Sequence, residues 1–303
     1  MKTLSRRLVP IIAILCLAAA RPASGAGPTP GAPLLKVGVS LHPYYSWTKN
    51  VVGDTGVEVR AILPGEVDAG DYQPRPEDIK KLAELDAIVV NGVGHDDFIF
   101  DMIKASGNEK LVVIRPNEVV PLLEAANGGT VNAHTFISFS NAIQQTYAIA
   151  KALGALRPAL ADAFQKNAAE YARRLRAIKS EASQRLINAR VNRVVTVHDG
   201  YGYLMQEFGV DIAGVVEPAH GLVPSAQELA MMVGLLQREK IHVVFSEESF
   251  PQPLLKVLQD EGGARVYLIS HIASGQYSAD RFEVEMRKNV DAMVQALVTD
   301  PGA

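Results

Sequence analysis

Six of the seven histidines stand directly after a short apolar run or in a loop that opens a helical pattern. They are His42 (VGVSL-HPYYSW), His95 (IVVNGVG-HDDF), His134 (VNA-HTFISFSNA), His198 (VVTV-HDGYGYL), His220 (VVEPA-HGLVPSA) and His271 (VYLIS-HIASG). Only His242, inside KIHVVF, has the setting of an ordinary strand residue. Neutral imidazole is a ready ligand for zinc and similar ions, and ligands gathered from separate loop ends can close a coordination shell. The chemistry on offer is therefore metal binding. For some of these positions a plainer reading exists beside it. His95-Asp96-Asp97 also reads as a helix N-terminus whose acids complement the dipole, and Glu217 to Gly221 as a turn.

Ligating imidazoles usually donate their second ring N–H to a carboxylate or carbonyl, which fixes the tautomer. Asp71, Asp199, Glu247 and Glu248 lie near the histidines in sequence, and Glu247, closing VVFSE, has the best position among them. Asp199 adjoins His198, and neighbouring side chains diverge at a strand end. Tyr72, Tyr201, Tyr203 and Tyr277 share these loops and suit either the roof of a cleft or the core.

Such loops need strands to hold them. LKVGVSL, VEVRAIL, AIVVN and LVVIR alternate with helical patterns in the first half, and RVVTV, DIAGVV, HVVFS and RVYLIS do so in the second. Runs this short and this rich in Val and Ile fit strands covered on both faces, and the alternation predicts an α/β fold of two lobes, each a mostly parallel sheet with flanking helices. Between the two series, Phe164, Ala168, Tyr171, Leu175, Ile178 and Ala182 recur at helical spacing. They predict one long connecting helix over 158–192, between an N-terminal lobe at 27–157 and a C-terminal lobe at 193–303.

The segment 1–26 combines basic Lys2, Arg6 and Arg7, an apolar run from Leu8 to Ala20 and small residues near Ser24-Gly25-Ala26. This is the organisation of a cleaved export signal, and the run is shorter than the roughly 20 residues a membrane span needs. The only cysteine, Cys16, lies inside it, preceded by Leu15 rather than by the small residue of a lipidation site. Removing this segment takes four of the 30 basic residues and none of the 33 acidic ones, leaving a formal charge of −7. A mature chain without cysteine cannot use disulfides and must hold any metal through nitrogen and oxygen. No basic patch points to nucleic acid.

Four stretches, taken in order, resemble the ZnuA/TroA-like cluster of metal-binding, substrate-binding proteins of ABC importers. VDAGDYQPRPEDIKKLAELDAIVVNGVG is similar to that family's DPHxYxPxPxDxxxLxxADxxxxNGxG, and VNAHTFISFSNAIQQTYAIAKAL to its DPHxWLDPxNAxxMAxxIAxAL. VVTVHDGYGYLMQEFGV and PSAQELAMMVGLLQREKIHVVFSEESF follow its next two blocks. The resemblance implies a periplasmic receptor, a monomer, that holds one divalent ion between its lobes and hands it to a membrane permease without covalent chemistry. His134 and His198 match the family's second and third ligands. The first position reads Asp68-Ala69-Gly70 instead of DPH, and the fourth, commonly Asp, reads Ser270 with His271 beside it.

The expected ligand set is therefore His42, His134, His198 and His271, with His95, His220, Asp71 and Glu247 in reserve. A shell of nitrogen without thiolate favours Zn²⁺, whereas Mn²⁺ favours more carboxylate. Two other classes compete: an exported zinc hydrolase, against which stand the missing HExxH and GxSxG motifs, and a metal-free adhesin or solute receptor. The metal reading requires His134, His198 and His271 to converge to within about 10 Å of one another, the reach of one coordination shell and its side chains.

Overall fold

The computed structural model describes residues 35–299 apart from Asn127, Gly129, Thr130, Pro218, His220 and the side chain of Asp71. The expected export signal and His220 thus lie outside the described residues. Eight strands form where the eight apolar runs stand: β1 (Lys36–Val39), β2 (Glu58–Ala61), β3 (Ala87–Val89) and β4 (Val112–Ile114), then β5 (Arg193–Thr196), β6 (Asp211–Val215), β7 (Val243–Ser246) and β8 (Arg265–Leu268). The first four make one sheet in the order β2-β1-β3-β4 and the last four a second in the order β6-β5-β7-β8, every pairing parallel. Two α/β lobes with the same strand order result.

Parallel pairing requires a crossover between strands, and the helices supply it. The first lobe contains α1 (His42–Val52), α2 (Pro76–Ala83) and α3 (Phe98–Ser106), followed by α4 (Phe139–Leu156). The connector between the lobes is α5 (Ala161–Leu186). The second lobe has α6 (Gly202–Glu207), α7 (Ala226–Glu239) and α8 (Gln252–Asp260), with α9 (Arg281–Val294) after its last strand. Ser138 and Ser225 cap α4 and α7 by accepting from Asn141 N and Glu228 N.

The connector α5 is 26 residues long, or about 39 Å at 1.5 Å per residue. Its apolar stripe is buried throughout, from Phe164 to Ala182. The helix is shorter than the sequence suggests at both ends. Pro158 starts a separate 3₁₀ turn, Pro158–Leu160, and beyond Leu186 the chain turns to bond Arg190 N to Leu297 O. α5 packs on α4 and α1, and α9 returns from the second lobe to pack on α1 and α5. Trp47 and Tyr44 of α1, wholly buried, join Phe282 of α9 in this shared core.

Because all strands in each sheet point the same way, their C-terminal ends lie along one edge. That edge is where parallel α/β sheets offer binding loops. Leu175 sits in the middle of the α5 stripe and is wholly buried. Leu175→Ala is expected to cost about 2–5 kcal/mol of stability, measured by urea denaturation.

Candidate metal centre

The strand ends of the second lobe each deliver one polar side chain: His198 after β5, Glu217 after β6, Glu247 after β7 and His271 after β8. From the first lobe come Asp68 after β2 and His95 after β3, and His134 from the loop preceding α4. Ring centroids are 4.9 Å apart for His95 and His134, 4.7 Å for His134 and His198, 5.1 Å for His198 and His271, 5.9 Å for His134 and His271, and 6.5 Å for His95 and His271. All four histidines are buried, yet cavities of about 960 and 1030 Å³ adjoin the cluster, and His198 and Glu217 line both. The site is enclosed but approachable.

The ring nitrogens sort into two sets. On the outer side His198 Nδ1 lies 3.1 Å from Glu217 Oε2, His271 Nδ1 3.0 Å from Glu247 Oε1, and His134 Nδ1 3.2 Å from Asn132 Oδ1. On the inner side His134 Nε2 and His198 Nε2 are 3.0 Å apart. His271 Nε2 and His95 Nε2 face the two oxygens of Asp68, at 2.6 and 3.4 Å. Acceptors on the outer nitrogens of His134 and His198 favour the Nδ1–H tautomer, which makes Nε2 the ligating atom, whereas His271, with a carboxylate on each nitrogen, must shed a proton before it can ligate. His198, Glu247 and His271 also form a compact triplet with donor atoms within 4.8 Å of one another. Glu247 meets His271 at Nδ1, the nitrogen opposite the one that faces Asp68.

Short local devices hold each donor. Asp68 caps the 3₁₀ turn Ala69–Asp71, its Oδ1 accepting from Gly70 N at 2.8 Å. Asp96, buried, accepts from Asn91 N and Gly92 N at 2.7 and 2.8 Å and so shapes the turn carrying His95; its burial raises its pKa. Asn91 Nδ2 donates to Ala133 O, joining that turn to the His134 loop. Asn132 Oδ1 also accepts from His134 N, while its Nδ2 donates to Asp199 O across the lobe boundary. Asn289 of α9 holds Ser270 by both backbone groups, and Tyr201 OH donates to Glu247 Oε1 at 2.6 Å.

Charge pairing dominates the electrostatics. Burial alone would make His271 a weaker base, but Glu247 and Asp68 outweigh it and push its pKa up to about 10. Burial likewise works to raise the Asp68 pKa, and the hydrogen bonds from His271 and His95 override it, holding this carboxyl far below the usual range. Glu247 is lowered in the same way, burial being outweighed chiefly by the charge of His271.

The structure brings together His134, His198 and His271, adds His95 and Glu247 from the reserve, and directs His42 elsewhere. His42 opens α1, and its Nε2 donates to Gly275 O at 2.8 Å while its ring stacks on Tyr277. Its place after β1 fixes its level along the sheet but not the direction of its side chain. Sequence reasoning missed Asp68 and Glu217. Glu217 is the first carboxylate after β6, the same signal that marks the histidines, whereas Asp68 follows Glu66 in the loop after β2 and was hidden behind the glycine that replaces the motif histidine.

A two-lobe α/β fold with imidazole and carboxylate donors converging between the lobes defines the class of metal-binding, substrate-binding proteins. The model of the zinc-uptake complex component A, periplasmic (ZnuA) matches residues 37–296, and the chain belongs to that family. It is 24% identical over 299 residues to the zinc-binding protein AdcA of Streptococcus pyogenes serotype M3, covering 88% of this chain and 56% of AdcA. The chain thus spans about half the length of this curated relative. FpvC of Pseudomonas aeruginosa, solved with Mn²⁺, is 44% identical with a TM-score of 0.83 over 88% of this chain and 98% of that one; FpvC has also been solved with Ni²⁺. A crystal structure of ZnuA, 24% identical with a TM-score of 0.76 over 87% of this chain and 99% of that one, shares the fold.

His271 without bound metal is expected to remain an imidazolium above pH 8. Its raised pKa stabilises the fold fully below about pH 6.5, the unfolded value, and this contribution fades as pH rises through about 10. Glu247→Gln should bring the titration of the His271 ring protons, followed by NMR, toward the ordinary histidine range.

Proposed function

We propose that this chain is the periplasmic receptor of a metal-uptake ABC importer, taking one divalent transition ion between His95, His134, His198, His271 and Asp68 and delivering it to a membrane permease. The observation that carries this reading is the gathering of four buried imidazole rings and Asp68 where the lobes meet, with acceptors on Nδ1 of His134, His198 and His271. Two Nε2 lone pairs 3.0 Å apart repel unless a cation or proton lies between them. Donors about 2.1 Å from one ion stand about 3.0 Å apart when the angle at the metal is near 90°, and about 3.4 Å apart in a tetrahedron. Five donors with a near-right angle suit a shell larger than four.

Zinc heads the candidates on nitrogen content and on the family's description, and the Asp68 oxygen extends the range to harder ions such as Mn²⁺. Membership of a family of uptake components supports transport over catalysis, and a shell filled by protein donors leaves little room for the activated water a zinc hydrolase needs. The pattern of the segment 1–26 supports export with cleavage of the signal, and the receptor is expected to act as a monomer.

Elemental analysis of protein isolated from its native compartment without chelators, followed by calorimetry on the stripped protein, tests the reading. One tight equivalent per chain is expected; absence of any divalent binding would sink it. His134→Ala and His198→Ala should each weaken Zn²⁺ binding at least tenfold, since losing even a group that only orients a ligand costs about 10- to 100-fold in metal sites. Asp68→Ala should weaken it more than His42→Ala. Affinity should decline as pH falls below about 10, where His271 must shed a proton to ligate, and more steeply below about pH 6, where ordinary imidazoles also take up protons.

A further inference from the structure

Two loops from opposite lobes meet edge to edge beside this centre. One runs from β2 through Gly65 to Asp68, and the other from β8 through His271 to Gly275. Gly275 N–H donates to Gly65 O at 2.7 Å, and Gly275 O accepts from His42 Nε2 at 2.8 Å. Both backbone polar groups of this second-lobe residue are therefore engaged by the first lobe. The His42 ring lies flat on Tyr277, centroids 3.9 Å apart and planes 2° from parallel. Further along α1, Ser46 Oγ and Asn50 Nδ2 donate to Ser278 O and Ala279 O at 2.8 and 2.7 Å.

The seam depends on two glycines for different reasons. A Cβ on Gly65 would stand 2.5 Å from Gly275 O, so only a residue without one allows the backbones to touch. Gly275 has φ +108°, where a side chain is disfavoured. Between His271 and the seam, Ile272 has φ 60°, an outlier for a β-branched residue that persists only where its surroundings hold it. Burial lowers the His42 pKa to about 4, so its ring stays neutral and keeps one N–H to donate.

We infer that the Gly65–Gly275 seam, pinned by His42 and Tyr277, positions His271 against Asp68 across the lobe boundary and thereby sets how long the bound ion is held. Asp68 stands just beyond Gly65 and His271 just before Gly275 in the chain, and the two side chains meet at 2.6 Å. Through segments this short, a shift of the seam moves the donors. His42 is thus a positioning residue that acts on the centre through Gly275. The inference rests on the metal-receptor reading.

Co²⁺ serves as the probe, because its visible absorption reports the ligand field and its loss to excess EDTA can be timed by stopped flow. Gly65→Val, His42→Ala, His42→Gln and the unaltered protein are compared with Val290→Ala, a buried change in α9 that should lower the melting temperature without touching the seam. Gly65→Val and His42→Ala are expected to alter the Co²⁺ spectrum and speed Co²⁺ loss at least tenfold. His42→Gln, whose amide N–H can reach the Gly275 carbonyl, should recover most of the retention. Val290→Ala should keep the parent spectrum and rate.

Parent-like spectra and rates in Gly65→Val and His42→Ala, with normal Co²⁺ binding by the unaltered protein, would overturn the inference alone. So would a Val290→Ala protein that loses Co²⁺ as fast as they do. A His42→Gln protein no better than His42→Ala would also overturn it, because restoring the bond to Gly275 O would then restore nothing. If the unaltered protein binds neither Co²⁺ nor Zn²⁺, the receptor reading falls and the inference with it. Should Gly65→Val not fold, the His42 pair decides.

Discussion

Four imidazoles and three carboxylates lie almost out of water in one place, and the rest of the structure is arranged around making that tolerable. A buried charge without a partner is costly, and several of one sign would be worse. Here each carboxylate has an imidazole partner: His271 sits between Asp68 and Glu247, His198 beside Glu217, and His95 beside Asp68. The same pairing that compensates desolvation pins each ring in rotation. Neither lobe could assemble this arrangement alone, because Asp68, His95 and His134 belong to the first and His198, Glu217, Glu247 and His271 to the second.

Parallel sheets make the assembly possible. Their strands end on one edge, so side chains that follow successive strands are neighbours in space although whole helices separate them along the chain. Two sheets of the same order, placed edge toward edge, double the number of donors available. The shared core of α1, α4, α5 and α9 then holds the edges at a fixed separation, with Trp47, Phe164, Tyr171 and Phe282 fully buried in it. An ion that bridges both edges would stabilise the closed arrangement in proportion to its affinity, by mass action.

Outside the donors, the structure invests in small polar residues that tie one loop to the next. Asn91 links the His95 turn to Ala133, Asn132 links the His134 loop to Asp199, and Asn289 links the His271 loop to α9. Each is an amide with donor and acceptor in fixed geometry, able to satisfy two backbone groups at once. Such ties leave the imidazoles few alternative rotations, which is the condition for a tight and specific shell.

The fold was legible because its signals are local. All eight apolar runs became strands, and the stripe from Phe164 to Ala182 became the buried face of α5, since a strand's length and a helix's period are properties of neighbouring residues. His134, His198 and His271 could be singled out for a similar reason: each stands beside a recognisable run or helix start. His42 follows a run too, yet its ring turned to Gly275 and Tyr277, because which way a side chain points at a strand end depends on partners from the far end of the chain. Asp68 and Glu217 were concealed by their ordinary company, a replaced motif and a turn. Composition and periodicity by themselves determined two α/β lobes, a connecting helix and a set of polar residues at strand ends; only the tertiary structure decided which of those residues share a centre, because long-range packing alone fixes distances between loops and hydrogen bonds alone fix the direction of an imidazole.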